Sequence, residues 1–171
     1  VAEIFAYLDD AEPYLKELPI ESAAKIVSEM DSDDAVDVLE EMDATTKHKI
    51  VGMLDKEASD DVRLLFSYDE DEIGSRMTTN FIMIHNNLTI RQAMRELIEQ
   101  AGENDNISTI YVIDDEDKFY GAIDLKNLII ARRDETLEDL TVTSYPYVYA
   151  EEPINECIEE LKDYSEDSIP V

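Results

Sequence analysis

Acidic residues crowd residues 29–43, EMDSDDAVDVLEEMD, in which eight of the fifteen side chains are carboxylates. Carboxylate oxygens are the ligands that hard divalent cations take in proteins. They are equally the ordinary solvated groups on the exposed face of a helix. The stretch is therefore either a cation site or a surface that keeps the protein in solution, and the elements that position these acids must decide.

Few residues are suited to catalysis, and they are expected on exposed surfaces or among apolar residues. His48, in TTKHKI, is expected on a solvated helix face, and His85 at the exposed end of a strand. Cys157 falls on an apolar helix stripe, where a thiol packs more often than it reacts. The chain has four glycines and no phosphate-binding glycine loop. We therefore predict that it is not an enzyme.

The overall charge narrows the range of partners. The 171 residues include 43 Asp and Glu against 14 Lys and Arg, a formal net charge of −29. A surface of that sign repels phosphate backbones and anionic lipid, which argues against binding to nucleic acid or to membrane surfaces. It suits cations or basic partners, although solubility alone also accounts for it. The single cysteine permits no internal disulfide, and no apolar run approaches the roughly 20 residues that span a bilayer.

A twelve-residue repeat organises the first half of the chain. Its marker positions are apolar: Leu18, Met30, Met42, Leu54 and Phe66. Each marker is followed by a proline, an aspartate or a serine, which are residue types that suit the start of a helix. Each repeat therefore predicts one short helix and a tight turn. Such helices must stack into a superhelix because none is stable alone.

The beginning of the chain breaks the repeat spacing. VAEIFAYLD at residues 1–9 matches AVDVLEEMD position for position, so we expect an earlier repeat there. The step from Leu8 to Leu18 is ten residues rather than twelve. Either the loop between these repeats is shorter or residues are missing from the chain near residue 10, and we favour the second explanation.

The pattern changes after residue 76. FIMIH predicts a short strand, and TIRQAMRELIEQA predicts a helix that begins at a Thr89–Gln92 capping box. ISTIYVID and FYGAID predict two strands that pair with each other. LKNLIIARR predicts a further helix. A second unit then begins at YPYVYAEEP, with a strand, a helix from about Pro153 and a new strand at Ile169. Because a half-built unit leaves an unpaired strand edge, we expect the natural chain to continue past Val171.

Together these features resemble the cytosolic part of MgtE-type magnesium transporters over essentially the whole chain. The acidic repeats resemble the family's N domain, and YDEDEIGSRMT at 68–78 resembles its linker pattern, Tyr-x-x-Asp/Glu-x-Ala-Gly-x-Leu-Met-Thr. Ile73 and Arg76 depart from that pattern, in which Ala and Leu are usual. The resemblance implies an all-helical superhelix followed by an α/β pair of cystathionine-β-synthase (CBS) domains. The predicted domains are a helical N domain at 1–67, a linker at 68–76, a first CBS domain at 77–133 and part of a second at 134–171.

The function that the resemblance implies is magnesium sensing on behalf of a transmembrane pore that is absent from this chain. In the family, a homodimer at the cytoplasmic face of the cell membrane closes the pore when Mg²⁺ bridges the N domain and the CBS unit. Carried over residue by residue, the Mg²⁺ ligands would be Glu3, Asp33, Asp37 and a backbone carbonyl at Gly74 or Ser75. The i, i+4 spacing of Asp33 and Asp37 puts both carboxylates on one helix face.

The alternative from the same resemblance is a sensor of adenine nucleotides, since paired CBS units often hold them. The usual recognition tail is Gly, two apolar residues, Ser or Thr, two residues and an Asp that meets the ribose. GAIDLKN supplies Gly121 but places Asp124 where the hydroxyl is usual and Asn127 where the carboxylate is usual. Because Asp124 would repel phosphate, we predict no nucleotide binding at this unit.

Overall fold

A computed structural model of the chain describes residues 2–6, 8, 11–102, 104, 106–132 and 134–171. The side chains of Glu3, Ala6 and Glu12 lie outside this description. The chain divides into two compact units, of which the first holds residues 1–79 and 149–156 and the second holds residues 80–148 and 157–171. The domain boundaries expected from the sequence stay a prediction, because compactness alone does not test them.

Short helices separated by tight turns build most of the first unit, as the repeat predicts. They are α1 (Ala2–Ala6), α2 (Glu12–Lys16), α3 (Ile20–Ser28), α4 (Ser32–Glu40), α5 (Ala44–Val51) and α6 (Lys56–Leu65). The helices α3 to α6 each begin two residues after a marker position of the repeat. The period of twelve therefore sets where each helix begins.

Aspartates stand at the N-cap positions of three of these helices. The carboxylate of Asp43 accepts hydrogen bonds from the backbone N–H groups of Thr45 and Thr46, and Asp55 caps α6 in the same way. Asp31 takes the N-cap position of α4, but its side chain accepts no capping hydrogen bond from the described residues. The helix that carries the candidate ligands therefore begins without the side-chain cap that α5 and α6 have.

One apolar core joins the helices of the first unit. α4 packs against α6, and α3 packs against α5. The buried members of this core are Ala11, Leu15, Ala23, Ala24, Val27, Ala35, Val36, Val38, Leu39, Met42, Ile50, Val62 and Leu65. Isolated helices of this length are not stable in water, so the shared core is what keeps α4 and its acids in place.

The segment after α6 completes the first unit. Residues Ile73–Arg76 form a 3₁₀ turn, whose first two backbone N–H groups donate to the carbonyls of Glu152 and Ala150 at 2.9 Å. Gly74 is buried under the ring of Tyr68, and a Cβ at this position would come within 2.7 Å of that ring. Glycine is required here by this close approach, which no larger residue allows.

The second unit is a three-stranded sheet with helices packed against it. Its elements are β1 (Ile82–His85), α7 (Ile90–Gln100), β2 (Thr109–Ile113), β3 (Phe119–Asp124), α8 (Leu125–Ile130) and α9 (Leu137–Leu140). β2 lies between β1, which is parallel to it, and β3, which is antiparallel. The expected order of strand, helix, strand, strand and helix is confirmed.

A capping box and alternating apolar residues account for the helix α7 and the strands of the second unit. The backbone N–H of Gln92 donates to the Thr89 hydroxyl, and the Gln92 side chain accepts from the Thr89 backbone, so the capping box at the start of α7 is confirmed. The core between sheet and helices consists of Ile82, Ile84, Ala93, Leu97, Ile110, Val112, Ile123, Leu128 and Leu137. The strand residues of this core alternate along the chain, as burial on one face of a sheet requires.

The strands expected at residues 145–149 and at Ile169 are wrong for the described chain, in which neither stretch belongs to a strand. Between them runs one backbone hydrogen bond, from the N–H of Val148 to the carbonyl of Pro170. Pro146 and Pro170 have no N–H to donate, so a regular ladder cannot form through them. The helix expected from about Pro153 is present as α10 (Ile154–Leu161), which the boundary between the two units divides.

We predict that Gly74→Ala destabilises the chain by about 1–3 kcal/mol, because the new methyl group meets the Tyr68 ring in a packed site. The matched control is Gly102→Ala, where the nearest atom to an added Cβ is 3.7 Å away, an ordinary contact. Urea unfolding followed by circular dichroism, with EDTA present, measures both variants. Equal stability of the two alanine variants would contradict the close approach.

Candidate functional site

The acids of α4 lie at the edge of its buried face. Ser32, Ala35, Val36, Val38 and Leu39 are the buried residues of this helix. Asp33 borders that stripe and is half-buried, whereas Asp37, one turn further on, is exposed. The two carboxylates therefore share a face of α4 but differ in their access to water.

One carboxylate oxygen of this pair has no partner among the residues that the structure describes. Oδ1 of Asp33 is buried and accepts no hydrogen bond from any residue that the structure describes. A buried polar atom without a partner is costly, and an ionised one more so. A bound cation removes that cost directly, because carboxylate oxygen is a preferred ligand of Mg²⁺ and Ca²⁺.

The charges around Asp33 favour a cation as well. Burial raises the pKa of the Asp34 carboxyl above its ordinary value, and the neighbouring charges of Asp33, Asp31 and Asp37 raise it further. Acids in the first turn of a helix usually gain from the helix dipole. Here the mutual repulsion and the burial outweigh that gain, so the start of α4 is a region of unbalanced negative charge.

Asp37 has a positively charged partner within the first unit. Nη1 of Arg76 lies 3.2 Å from Oδ1 of Asp37, and both side chains are at least half exposed. Arg76 directly follows Ser75, so the structure brings the predicted linker position close to the predicted carboxylate. Gly74 itself is buried, and the Ser75 hydroxyl donates to the carbonyl of Glu72 at 2.8 Å.

The remaining predicted ligand, Glu3, lies in α1, and the backbone places α1 against α4. Its side chain lies outside the described residues. Within the described ranges, no three carboxylate, imidazole or thiol side chains converge as ligands of one ion. The structure thus places Asp33, Asp37, Gly74 and Ser75 in the first unit and links the linker to Asp37 through Arg76.

Two features of this region were missed from the sequence. The backbone N–H of Thr79 donates to the hydroxyl of Ser32 at 3.0 Å, and the Thr79 hydroxyl is 3.1 Å from a carboxylate oxygen of Asp61. These bonds attach the segment just after the linker to the start of α4 and to α6. The ion pair of Arg76 was also missed, although its departure from the usual linker residue marked the position.

Asp124, in the segment GAIDLKN that was compared with nucleotide-binding CBS units, has a structural role. The backbone N–H of Asn127 donates to a carboxylate oxygen of Asp124 at 3.3 Å, which makes Asp124 the N-cap of α8. At Gly121 an added Cβ would lie 2.7 Å from the carbonyl oxygen of Val142, so packing alone accounts for this glycine. Neither residue needs a ligand to explain its presence.

Comparison with known proteins places the chain in a family. The family description "MgtE intracellular N domain" matches residues 1–71, and "CBS domain" matches residues 71–134. The crystal structure of the soluble part of a magnesium transporter superposes with a TM-score of 0.91 and 30% identity, over 99% of this chain and 68% of that one. The chain belongs to the MgtE family. The cytosolic domain of the Mg²⁺ channel MgtE, solved in complex with ATP, superposes with a TM-score of 0.85 and 27% identity, over 95% of this chain and 68% of that one.

Two curated relatives are magnesium transporters MgtE from bacteria. The protein of Enterococcus faecalis is 31% identical over 115 residues, and that of Thermus thermophilus is 27% identical over 123 residues. The matches cover 67% and 72% of this chain but 25% and 27% of the relatives. The chain therefore spans about a quarter of the length of these MgtE relatives. In the part of the chain that is described, no helix has the length and apolar character needed to cross a membrane.

We predict that Asp34→Asn stabilises the chain at pH 7 by about 0.5 kcal/mol, a figure reduced for solvent screening. The pKa of Asp34 is raised on folding, so the ionised carboxyl opposes folding at neutral pH. The penalty falls as the pH drops through that raised pKa. It vanishes below about pH 3.5, where the carboxyl is protonated in both states.

Urea unfolding in EDTA across this pH range measures the effect. Glu57→Gln is the control, because Glu57 lies in the first turn of α6 and the helix dipole favours its charge. A gain for Asp34→Asn that persists unchanged at low pH would show that charge repulsion is not its cause.

Proposed function

We propose that the chain is a cytosolic magnesium-sensing region of a magnesium transporter. The observation that carries the proposal is the buried Oδ1 of Asp33, which has no hydrogen-bond partner among the described residues. Burial and the charges of Asp33, Asp31 and Asp37 raise the pKa of the adjacent Asp34. Asp33 and Asp37 would hold Mg²⁺ through carboxylate oxygens. Glu3 and a backbone carbonyl at Gly74 or Ser75 would complete the protein's share of the ligands, with water supplying the rest.

The sensing step follows from electrostatics. Without Mg²⁺, the acidic surfaces of the N domain and the CBS unit repel each other and keep the two apart. Mg²⁺ would be bound better by the compact arrangement, because there the N domain and the linker that leads into the CBS unit both supply oxygen. Mg²⁺ therefore shifts the population toward that arrangement by its differential affinity. The compact arrangement closes the pore.

The proposal places the chain at the cytoplasmic face of the cell membrane, as part of a homodimer attached to a transmembrane domain. The relatives are magnesium transporters, and the chain corresponds to only about a quarter of their length. The proposed role is regulatory binding, with no catalytic step. His48, His85 and Cys157 accordingly have no part in it.

Nucleotide sensing is the second candidate. It is favoured by the ATP complex of the related cytosolic domain, which is 27% identical to this chain. Against it stands Asp124, whose negative charge would face a phosphate and whose carboxylate already caps α8. We therefore place nucleotide binding behind magnesium sensing.

We predict that Mg²⁺ lowers the radius of gyration of the chain in small-angle scattering. Asp33→Asn should raise the midpoint concentration of this transition by at least about tenfold, since it removes the negative charge of a direct ligand while keeping the shape of the side chain. The matched control is Asp60→Asn, which removes an exposed acid of α6 and should leave the midpoint near that of the wild type. An unchanged radius for the wild type across the titration would refute the sensing proposal.

We predict that ATP without Mg²⁺ gives no binding heat in calorimetry, whereas MgCl₂ does. Asp124→Ser is the informative variant, because serine restores the usual hydroxyl and still suits an N-cap. Binding of ATP to this variant alone would identify Asp124 as the residue that excludes phosphate. Tight binding of ATP to the wild type, with no heat from MgCl₂, would favour the nucleotide sensor instead.

A further inference from the structure

The ion pair between Arg76 and Asp37 joins two parts of the proposed magnesium site. The guanidinium lies 3.2 Å from a carboxylate oxygen that Mg²⁺ would need. The Arg76 side chain is 50% exposed and the Asp37 side chain 67% exposed, so either partner has room to separate from the other. A carboxylate oxygen that is paired with a guanidinium is less available to a metal ion, because the two cations repel each other at this distance.

Two anchors hold the backbone of Arg76 near α4. On one side, Gly74 is packed under the Tyr68 ring, and its N–H donates to the Ala150 carbonyl. On the other side, Thr79 donates its N–H to the hydroxyl of Ser32, the first residue of α4, which is 6% exposed. The guanidinium therefore does not diffuse away when the pair opens. Its effective concentration at Asp37 remains high, as for any tethered ligand.

We propose that Arg76 is a tethered competitor of Mg²⁺ at Asp37, and that it raises the Mg²⁺ concentration at which this chain responds. The inference rests on the proposed function, since it concerns the same site. In the absence of Mg²⁺, the guanidinium neutralises part of the charge on α4 and holds the linker to that helix. Mg²⁺ binds Asp37 only by displacing it.

The size of the effect follows from the exposure of the pair. Ion pairs between exposed side chains are weak, so the competition changes the apparent dissociation constant for Mg²⁺ by about two- to fivefold. A change of about two- to fivefold shifts the Mg²⁺ concentration at which the site is half occupied but does not abolish Mg²⁺ binding. Arg76 is accordingly a residue that tunes the threshold rather than a ligand.

The test is calorimetric titration of MgCl₂ into the whole chain at fixed ionic strength. Arg76→Leu should bind Mg²⁺ about two- to fivefold more tightly than the wild type. Arg63→Leu is the matched control, because it removes the same charge from an exposed position on α6 and should give a smaller change. Arg76→Gln serves as a second variant that keeps a polar side chain at this position.

A cycle with Asp37→Asn separates competition from general charge. In the Asp37→Asn background, replacing Arg76 with leucine should leave the Mg²⁺ affinity unchanged, because the pair no longer exists. The inference is overturned if Arg76→Leu matches the wild type or the Arg63→Leu control, or if its gain persists without Asp37. If the wild type and every variant fail to bind Mg²⁺, the proposed function falls as well, whereas equal binding by the wild type, Arg76→Leu and Arg76→Gln, with weaker binding by Asp37→Asn, overturns the competition alone.

Discussion

Helices of eight to ten residues are not stable alone, so the first unit exists through the core that its repeats share. The need to bury apolar residues in this shared core also determines the surroundings of the acids of α4. α4 buries five of its nine residues, and so wide a buried stripe leaves Asp33 at its margin. The packing that stabilises the helix thereby pushes one carboxylate oxygen out of water, and no described residue compensates for this. The cost of that arrangement is what a cation would relieve.

The aspartates of the first unit show how much local surroundings matter for one residue type. Hydrogen bonds from Thr46 hold the pKa of Asp43 below its ordinary value, and a hydrogen bond from Ser28 does the same for Asp55. The pKa of Asp34 moves the other way, because burial and neighbouring carboxylates oppose its charge. Most acids of this chain, with its net charge of −29, need no explanation beyond capping and solubility. The start of α4 differs from the positions of Asp43 and Asp55. Its acids repel one another, and hydrogen bonds do not offset that repulsion.

The spacing of apolar residues in the sequence predicted most of the fold, because this spacing indicates which residues must be buried. The step of twelve predicted the beginnings of α3 to α6, and the Thr89–Gln92 pair predicted the start of α7. The strand predicted at residues 145–149 was wrong because Pro146 lies within this stretch and cannot donate a ladder hydrogen bond. For the site, the sequence could place Asp33 and Asp37 on one face. It could not show that an oxygen of Asp33 is buried, since this depends on the packing of α4 against helices from other repeats.

The linker gives the acids of α4 a means of acting on the rest of the chain. It is fixed by packing at Gly74, by hydrogen bonds at Thr79 and by charge at Arg76. Only the third of these contacts responds directly to a cation at Asp37, because it alone involves the Asp37 carboxylate. A metal ion at α4 would therefore release one contact of the linker and leave the other two in place. Such a partial release would change the conformational freedom of the Arg76 side chain without loosening the packing at Gly74 or the hydrogen bond between Thr79 and Ser32.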